Sequence, residues 1–157
     1  MEIKLDKEKV VVIDDDDFEL IKNYKWYAYT DGKGHWYALT SIKTEKGWRG
    51  MRMHRLIMKA SPNEQVDHIN HNGLDNRREN IRICTVSQNH QNRHITRGKS
   101  LYKGVYWDKE KKKWRAHIWI DRKRQFLGYF KTAKEAAERY NKEASELFKE
   151  FACLNEI

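Results

Sequence analysis

The chain has 157 residues, of which 39% are apolar and 12% aromatic, enough to fill one ordinary core or two small ones, and this excludes disorder as the dominant state. Its 32 Lys and Arg against 23 Asp and Glu give a formal charge of +9, which favours a polyanionic partner such as nucleic acid over an acidic small molecule. No apolar run approaches the ~20 residues of a membrane helix, MEIKLDKEKV lacks the apolar centre of a secretory signal, and Cys84 and Cys153 form no CxxC pair, so an intracellular protein with buried thiols is expected.

The first third of the chain predicts strands: VVVI at 10–13, then WYAYT, HWYALTSI and WRGMRMHRL, rich in aromatic and β-branched residues and broken by DGKG and EKG. The expectation is a small antiparallel sheet. Asp14 to Asp17 stand directly before FELI; four carboxylates in a row can gather a metal, but at that place they more simply cap a short helix and solvate a turn. Basic and acidic side chains nearly balance here, nine against ten over residues 1–50, whereas residues 51–100 hold nine against four and residues 101–157 hold fourteen against nine. The positive excess therefore belongs to the middle and the end.

Between Ser61 and Asn80 the apolar side chains are Val66, Ile69 and Leu74, and Pro62, Gly73 and several Asn mark turns. A polar loop between two short strands, QVDHI and NIRIC, is the expectation. Thr85 opens TVSQ, a T-x-x-Q capping box, which predicts a helix from Val86 to about Asn92. HITRGKS within Arg93–Ser100 is short, basic and Gly-containing, and reads as a linker. Beyond it KGVYWD, KWRAHIWID and RQFLGYF alternate apolar with polar residues, separated by KEKK and DRK. A helix follows, capped by Thr132 with Glu135 three residues on, with Ala133, Ala136, Ala137, Tyr140, Ala144, Leu147 and Phe148 at helical spacing. The fold class expected is α+β. Its parts are an N-terminal antiparallel sheet with a strand–loop–strand–helix unit over about 64–94 inside a domain of residues 1–95, a linker at 96–101, and a second domain at 102–157 made of a three-stranded antiparallel sheet packed on one helix.

Hydrolysing a phosphodiester requires an activated water, a cation to stabilise charge on the phosphoryl oxygens and help for the leaving oxygen. Asp67 and His68 stand side by side in QVDHI. They can serve one site only if the strand ends there, since neighbours in a regular strand face opposite ways. Asn80, at the start of the returning strand, can hydrogen-bond across the loop, and Asn89, one turn into the helix, can supply an oxygen ligand. A competing metal reading gathers His68, His71, His90, His94 and Cys84 around zinc, although paired CxxC ligands are absent. His54 in MHRLIM lies outside both schemes, and packing beside the site is its default role.

The phrases MHRLIM, VDHIN, LDNRRENIRICT and SQN resemble the HNH nucleases with a ββα-metal fold, in particular phage and intron-encoded homing endonucleases, over roughly Trp26 to Arg93. The resemblance implies Asp67 as metal ligand, His68 as general base, Asn80 as the residue that braces the loop and orients the base, and Asn89 as second metal ligand. Many such enzymes have His at the last position, and His90 is adjacent, so either can be the second ligand. A carboxylate with an amide oxygen suits one Mg²⁺ or Mn²⁺ better than zinc.

In the last third Lys103, Arg115 and Arg124 are interleaved with Tyr106, Trp119 and Phe126, a pattern for a sheet that reads DNA, cations reaching phosphate or guanine and aromatic faces packing on sugar and thymine methyl. The competing expectation is a solvated basic face with aromatics such as Trp114 and Phe126 in the core. KGVYWD, KWRAHI, LGYFKTAKEAAERYNKEA and CLNE resemble the Apetala-two or ethylene-response-factor domain, which implies a sheet lying in the major groove. Tyr106 and Trp119 stand where the plant domains carry Arg, so their guanine-rich target is not carried over.

The function expected is a metal-dependent, site-directed endonuclease that nicks double-stranded DNA as a monomer. Two other classes compete: a DNA-binding regulator with an inactive nuclease fold, distinguished by the absence of metal-dependent nicking, and a zinc-stabilised nucleic-acid-binding module, distinguished by stoichiometric zinc.

Overall fold

The computed structural model describes residues 1–94 and 100–157. The chain forms two compact units, Met1–Val86 and Ser87–Ile157, and is mixed α/β, with small antiparallel sheets and few helices. Residues 96–99, most of the expected linker, lie outside the described residues.

In the first unit β1 (Glu2–Lys4) pairs with β2 (Val10–Val12), and β3 (Tyr27–Thr30), β4 (Trp36–Thr44) and β5 (Gly47–Arg52) form an antiparallel sheet in that order. Between the two lies α1 (Phe18–Ile21). The expected strand WRGMRMHRL divides: its first part is β5, but Met53–Ile57 is a helix, α2. The physical reason is tertiary. Met53, His54 and Ile57 recur at i, i+1 and i+4, and all three are buried, so one helical turn places them on the core face where a strand would alternate them in and out. The core gathers Val11, Ile13, Ile21, Ala38, Met53, Ile57, Val66 and Ile81 from six segments. β6 (Gln65–His68) and β7 (Ile81–Cys84) close an antiparallel hairpin, which is followed by α3 (Val86–Gln91).

In the second unit β8 (Val105–Asp108), β9 (Lys113–Ile120) and β10 (Lys123–Phe130) make an antiparallel sheet with β9 in the centre, and α4 (Ala133–Phe148) packs on it. The capping box forms as expected: the Thr132 hydroxyl accepts from the Glu135 amide at 3.1 Å and the Glu135 carboxylate accepts from the Thr132 amide at 3.4 Å, a device worth about 1 kcal/mol. Ala136, Ala137 and Ala144 are fully buried, so the helix backbone lies close to the sheet. Leu147 is exposed and leaves the stripe. Gly104, at φ +76°, lets the chain pass so near the Tyr140 ring that a Cβ would sit 2.3 Å from it, and no larger residue fits. Both thiols are buried, Cys84 in the first unit and Cys153 in the second; burial pushes the Cys84 thiol up to about 11. No described helix is long and apolar enough to cross a membrane.

Candidate active site

Val66 and Ile81 anchor the β6–β7 hairpin in the core. Its register sets Asp67 opposite Arg82 and His68 opposite Ile81. The Asp67 carboxylate accepts from the Arg82 guanidinium at 3.0 and 2.8 Å, and both groups are largely enclosed. The strand ends at His68, where the His71 amide turns back to the His68 carbonyl at 3.0 Å and the Ile69 amide meets the Asn80 carbonyl at 2.8 Å. The backbone therefore turns directly beyond His68, while Asp67 and His68 themselves stay in the ladder opposite Arg82 and Ile81.

The loop from Ile69 to Asn80 is held from inside and outside. Asn80 accepts from the Asn70 amide at 3.0 Å and donates to the Asp75 carbonyl at 2.7 Å, so its side chain spans the loop. Asn70 and Asn72 accept from amides two residues on, local bonds that satisfy a turn. Asp75 takes Arg77 and Asn70, and the Arg77 guanidinium holds its carboxyl below the usual carboxylate range. From outside, β2 bonds the loop through the Val12 amide to the Leu74 carbonyl and the Asn76 amide to the Val12 carbonyl. The aspartate run has a role other than the one expected. Asp14 makes no side-chain cap and instead accepts from the Arg78 amide at 2.7 Å, while buried Asp17 takes the Arg78 guanidinium. Gly73 presses against the Trp36 carbonyl and Tyr37 ring so closely that a Cβ would lie 2.4 Å from the former.

His68 is buried, and its Nε2 lies 2.9 Å from Asn76 Oδ1. A carbonyl oxygen only accepts, so Nε2 carries the proton and Nδ1 the lone pair. The His54 ring stands edge-on to it at 4.7 Å between centroids, and Tyr37 flanks both at 5.9 and 6.1 Å. Burial pushes His68 below the ordinary histidine value, while the Asn76 bond and the charges of Asp67 and Asp75 pull it back. His54 is pushed much further down, by burial first and then by His68, Arg52 and Arg55; its Nδ1 is buried without a partner among the described residues. His54 therefore packs against the His68 and Tyr37 rings.

A pH effect on stability follows. Unfolded, His54 takes a proton near the ordinary value of 6.5; folded, it refuses it. The unfolded chain thus binds more protons as pH falls through that value, and the stability of the first unit, complete above it, is lost on acidification. Melting followed from about pH 7 to about pH 5 should show a falling midpoint, with a shallower fall in His54→Leu.

Of the residues singled out from the sequence, Asp67 and His68 end β6, and the Asn80 side chain bonds across the loop that joins β6 to β7. Asn89 is half-buried and His90 exposed on α3, which enters the second unit at Ser87. Cys84 and His68 stand at opposite ends of the hairpin, three strand residues or about 10 Å apart, too far for the shared zinc considered above. In the second unit Tyr106, Arg115 and Tyr129 are cross-strand partners, as are Trp119 with Arg124 and His117 with Phe126, so Tyr106, Arg115, Trp119, Arg124 and Phe126 share the face turned away from α4. Phe126 is exposed and not core, whereas Trp114 packs on the core side. Lys103 is apart from this face: its ammonium donates to the Gln91 carbonyl at 2.6 Å, and burial lowers its pKa. Sequence reading missed Asn76, Tyr37 and Arg82 at the first site and His117, buried on the second face. The alternation around His117 was a legible signal.

Residues 52–91 match the model of the HNH endonuclease family, a span that contains the whole hairpin, its loop and α3. An uncharacterized HNH endonuclease of Acanthamoeba polyphaga mimivirus is 32% identical over 148 residues, covering 90% of this chain and 72% of that relative. No solved structure matches the chain. With the matched segment folding around an enclosed Asp-His pair and most of the chain aligned to such an enzyme, the protein belongs to the HNH endonuclease family and is a nuclease.

Proposed function

We propose that the chain is a metal-dependent DNA endonuclease that nicks one strand of a duplex, with His68 as general base. The observation that carries this reading is the enclosed His68, kept neutral by burial and held by Asn76 through Nε2 so that Nδ1 is the basic nitrogen. Nδ1 takes the proton of the attacking water, and Asn80 acts through the loop it spans.

HNH endonucleases generally use a divalent metal ion. The donor chemistry fits one: Asp67 offers a hard, enclosed carboxylate, and a carboxylate has lone pairs for a cation beside the Arg82 guanidinium. Asp67 and Asn89 would hold the ion, Mg²⁺ or Mn²⁺ in preference to zinc, and the ion when bound stabilises charge on the phosphoryl oxygens. Arg82 keeps the Asp67 carboxylate oriented between turnovers. Asn89→Ala is expected to raise the Mg²⁺ concentration needed for half-maximal cleavage at least about tenfold, the scale seen when a metal's supporting groups are removed, and His90→Ala to leave it unchanged. A Mg²⁺ titration of both variants decides between the two neighbours.

The second unit serves as the DNA reader. Support comes from the shared face of Tyr106, Arg115, Trp119, Arg124 and Phe126 on an antiparallel sheet backed by one helix. One hairpin-and-loop site addresses one strand at a time, hence nicking by a monomer at a preferred site, as in homing enzymes. Incubation with supercoiled plasmid and Mg²⁺ tests the whole reading: conversion to the open circle, abolished by EDTA, is expected, and an intact plasmid under all divalent cations overturns it.

A further inference from the structure

The sheet β3–β4–β5 buries one face against the first unit's core, through Ala28, Ala38 and Thr40. Its register sends a different set to the other face, because cross-strand partners share a face: Tyr27 aligns with Leu39 and Arg52, Tyr29 with Tyr37, and Lys43 with Trp48. Tyr27, Tyr29 and Trp48 are exposed, Trp48 at 71%. Exposed large aromatics grouped on one face mark an interaction surface. None of the residues of β3, β4 and β5 is acidic; Asp31 and Glu45 sit in the two turns, Asp31 is occupied by His35, and the Asp6 carboxylate is occupied by the Ala28 amide. Lys25 lies over the Tyr27 ring at 5.4 Å and Arg52 over the Tyr37 ring at 4.8 Å.

The face is continuous with the catalytic histidine. From Lys43 and Trp48 it passes the bare Gly50 and Ser41 to Arg52 and Tyr37, and Tyr37 in turn packs on His54 and His68. From Trp48 to Arg52 the strand rises about 14 Å, the length of about four base pairs at 3.4 Å each.

We infer that this face is a second DNA-binding surface, which holds the duplex on one side of the attacked phosphate. Lys43 and Arg52 neutralise phosphates, and Trp48 with Tyr27 and Tyr29 packs against sugars and bases. The partner follows from the charge: cations and aromatics without carboxylates fit a polyanion with apolar rings. The inference rests on His68 being the catalytic base of the proposed reading only for the side of the phosphate it assigns.

The test measures binding of the full chain to a mixed-sequence duplex without divalent metal, by fluorescence anisotropy over a salt series. Trp48→Ala should weaken binding about tenfold, and Lys43→Ala should reduce the slope of log K against log salt by about 0.9, one phosphate. Both side chains are exposed, so circular dichroism should be unchanged. Wild-type affinity and salt slope in both variants overturn the inference. So does a loss of self-association in Trp48→Ala with DNA binding intact, which assigns the face to a second copy of the chain. If the wild-type protein nicks nothing, the catalytic reading fails while the anisotropy still decides the surface.

Discussion

Replacing His68 by alanine is expected to lower metal-dependent nicking by roughly 10²-fold or more, the usual contribution of a positioned general base, while leaving duplex affinity near wild type. The variant loses an imidazole that is buried against His54 and Tyr37, so some loss of stability accompanies it, and the measurement is made well below the melting transition. Single-turnover nicking at saturating protein separates chemistry from binding. Asn76→Ala serves as the companion: it removes the Nε2 acceptor and leaves the imidazole in place, so it should lower the rate by less than His68→Ala does. Equal nicking by His68→Ala and wild type would remove this histidine from the chemistry.

The second large effect is expected at Asp67, where structure changes how the experiment must be read. Asp67→Ala removes the proposed metal ligand and also leaves the enclosed Arg82 guanidinium without its carboxylate, and breaking such a pair costs about 3 kcal/mol. A loss of activity in this variant alone therefore cannot be assigned to the metal. Pairing it with Arg82→Met removes both charges, and replacement of a buried ion pair by apolar groups is often close to neutral. The double variant should melt near wild type yet remain inactive at any Mg²⁺ concentration. Recovery of nicking in the double variant would make Asp67 a structural partner of Arg82 and nothing more.

The two units show how far local pattern reaches. In the second, alternation in KWRAHIWI and the Thr132–Glu135 box specify strands and helix start, and the structure places both there, because period and capping are properties of adjacent residues. The same logic exposed the strand–loop–strand of Gln65–Cys84 and the Asp67–His68 pair at its bend.

Local alternation and turn residues specify which side chains share a strand face and where the polar loop begins and ends. Their partners come from packing between distant segments. The Arg78 guanidinium meets Asp17 across 61 residues and Arg82 meets Asp67 across 15; nothing local distinguishes these carboxylates from their neighbours. MHRL became a helix against strand propensity because the core lay on one side of it, and that helix put His54 against His68. Burial lowers the proton affinity of His54 and His68, and that burial is created only when distant segments pack.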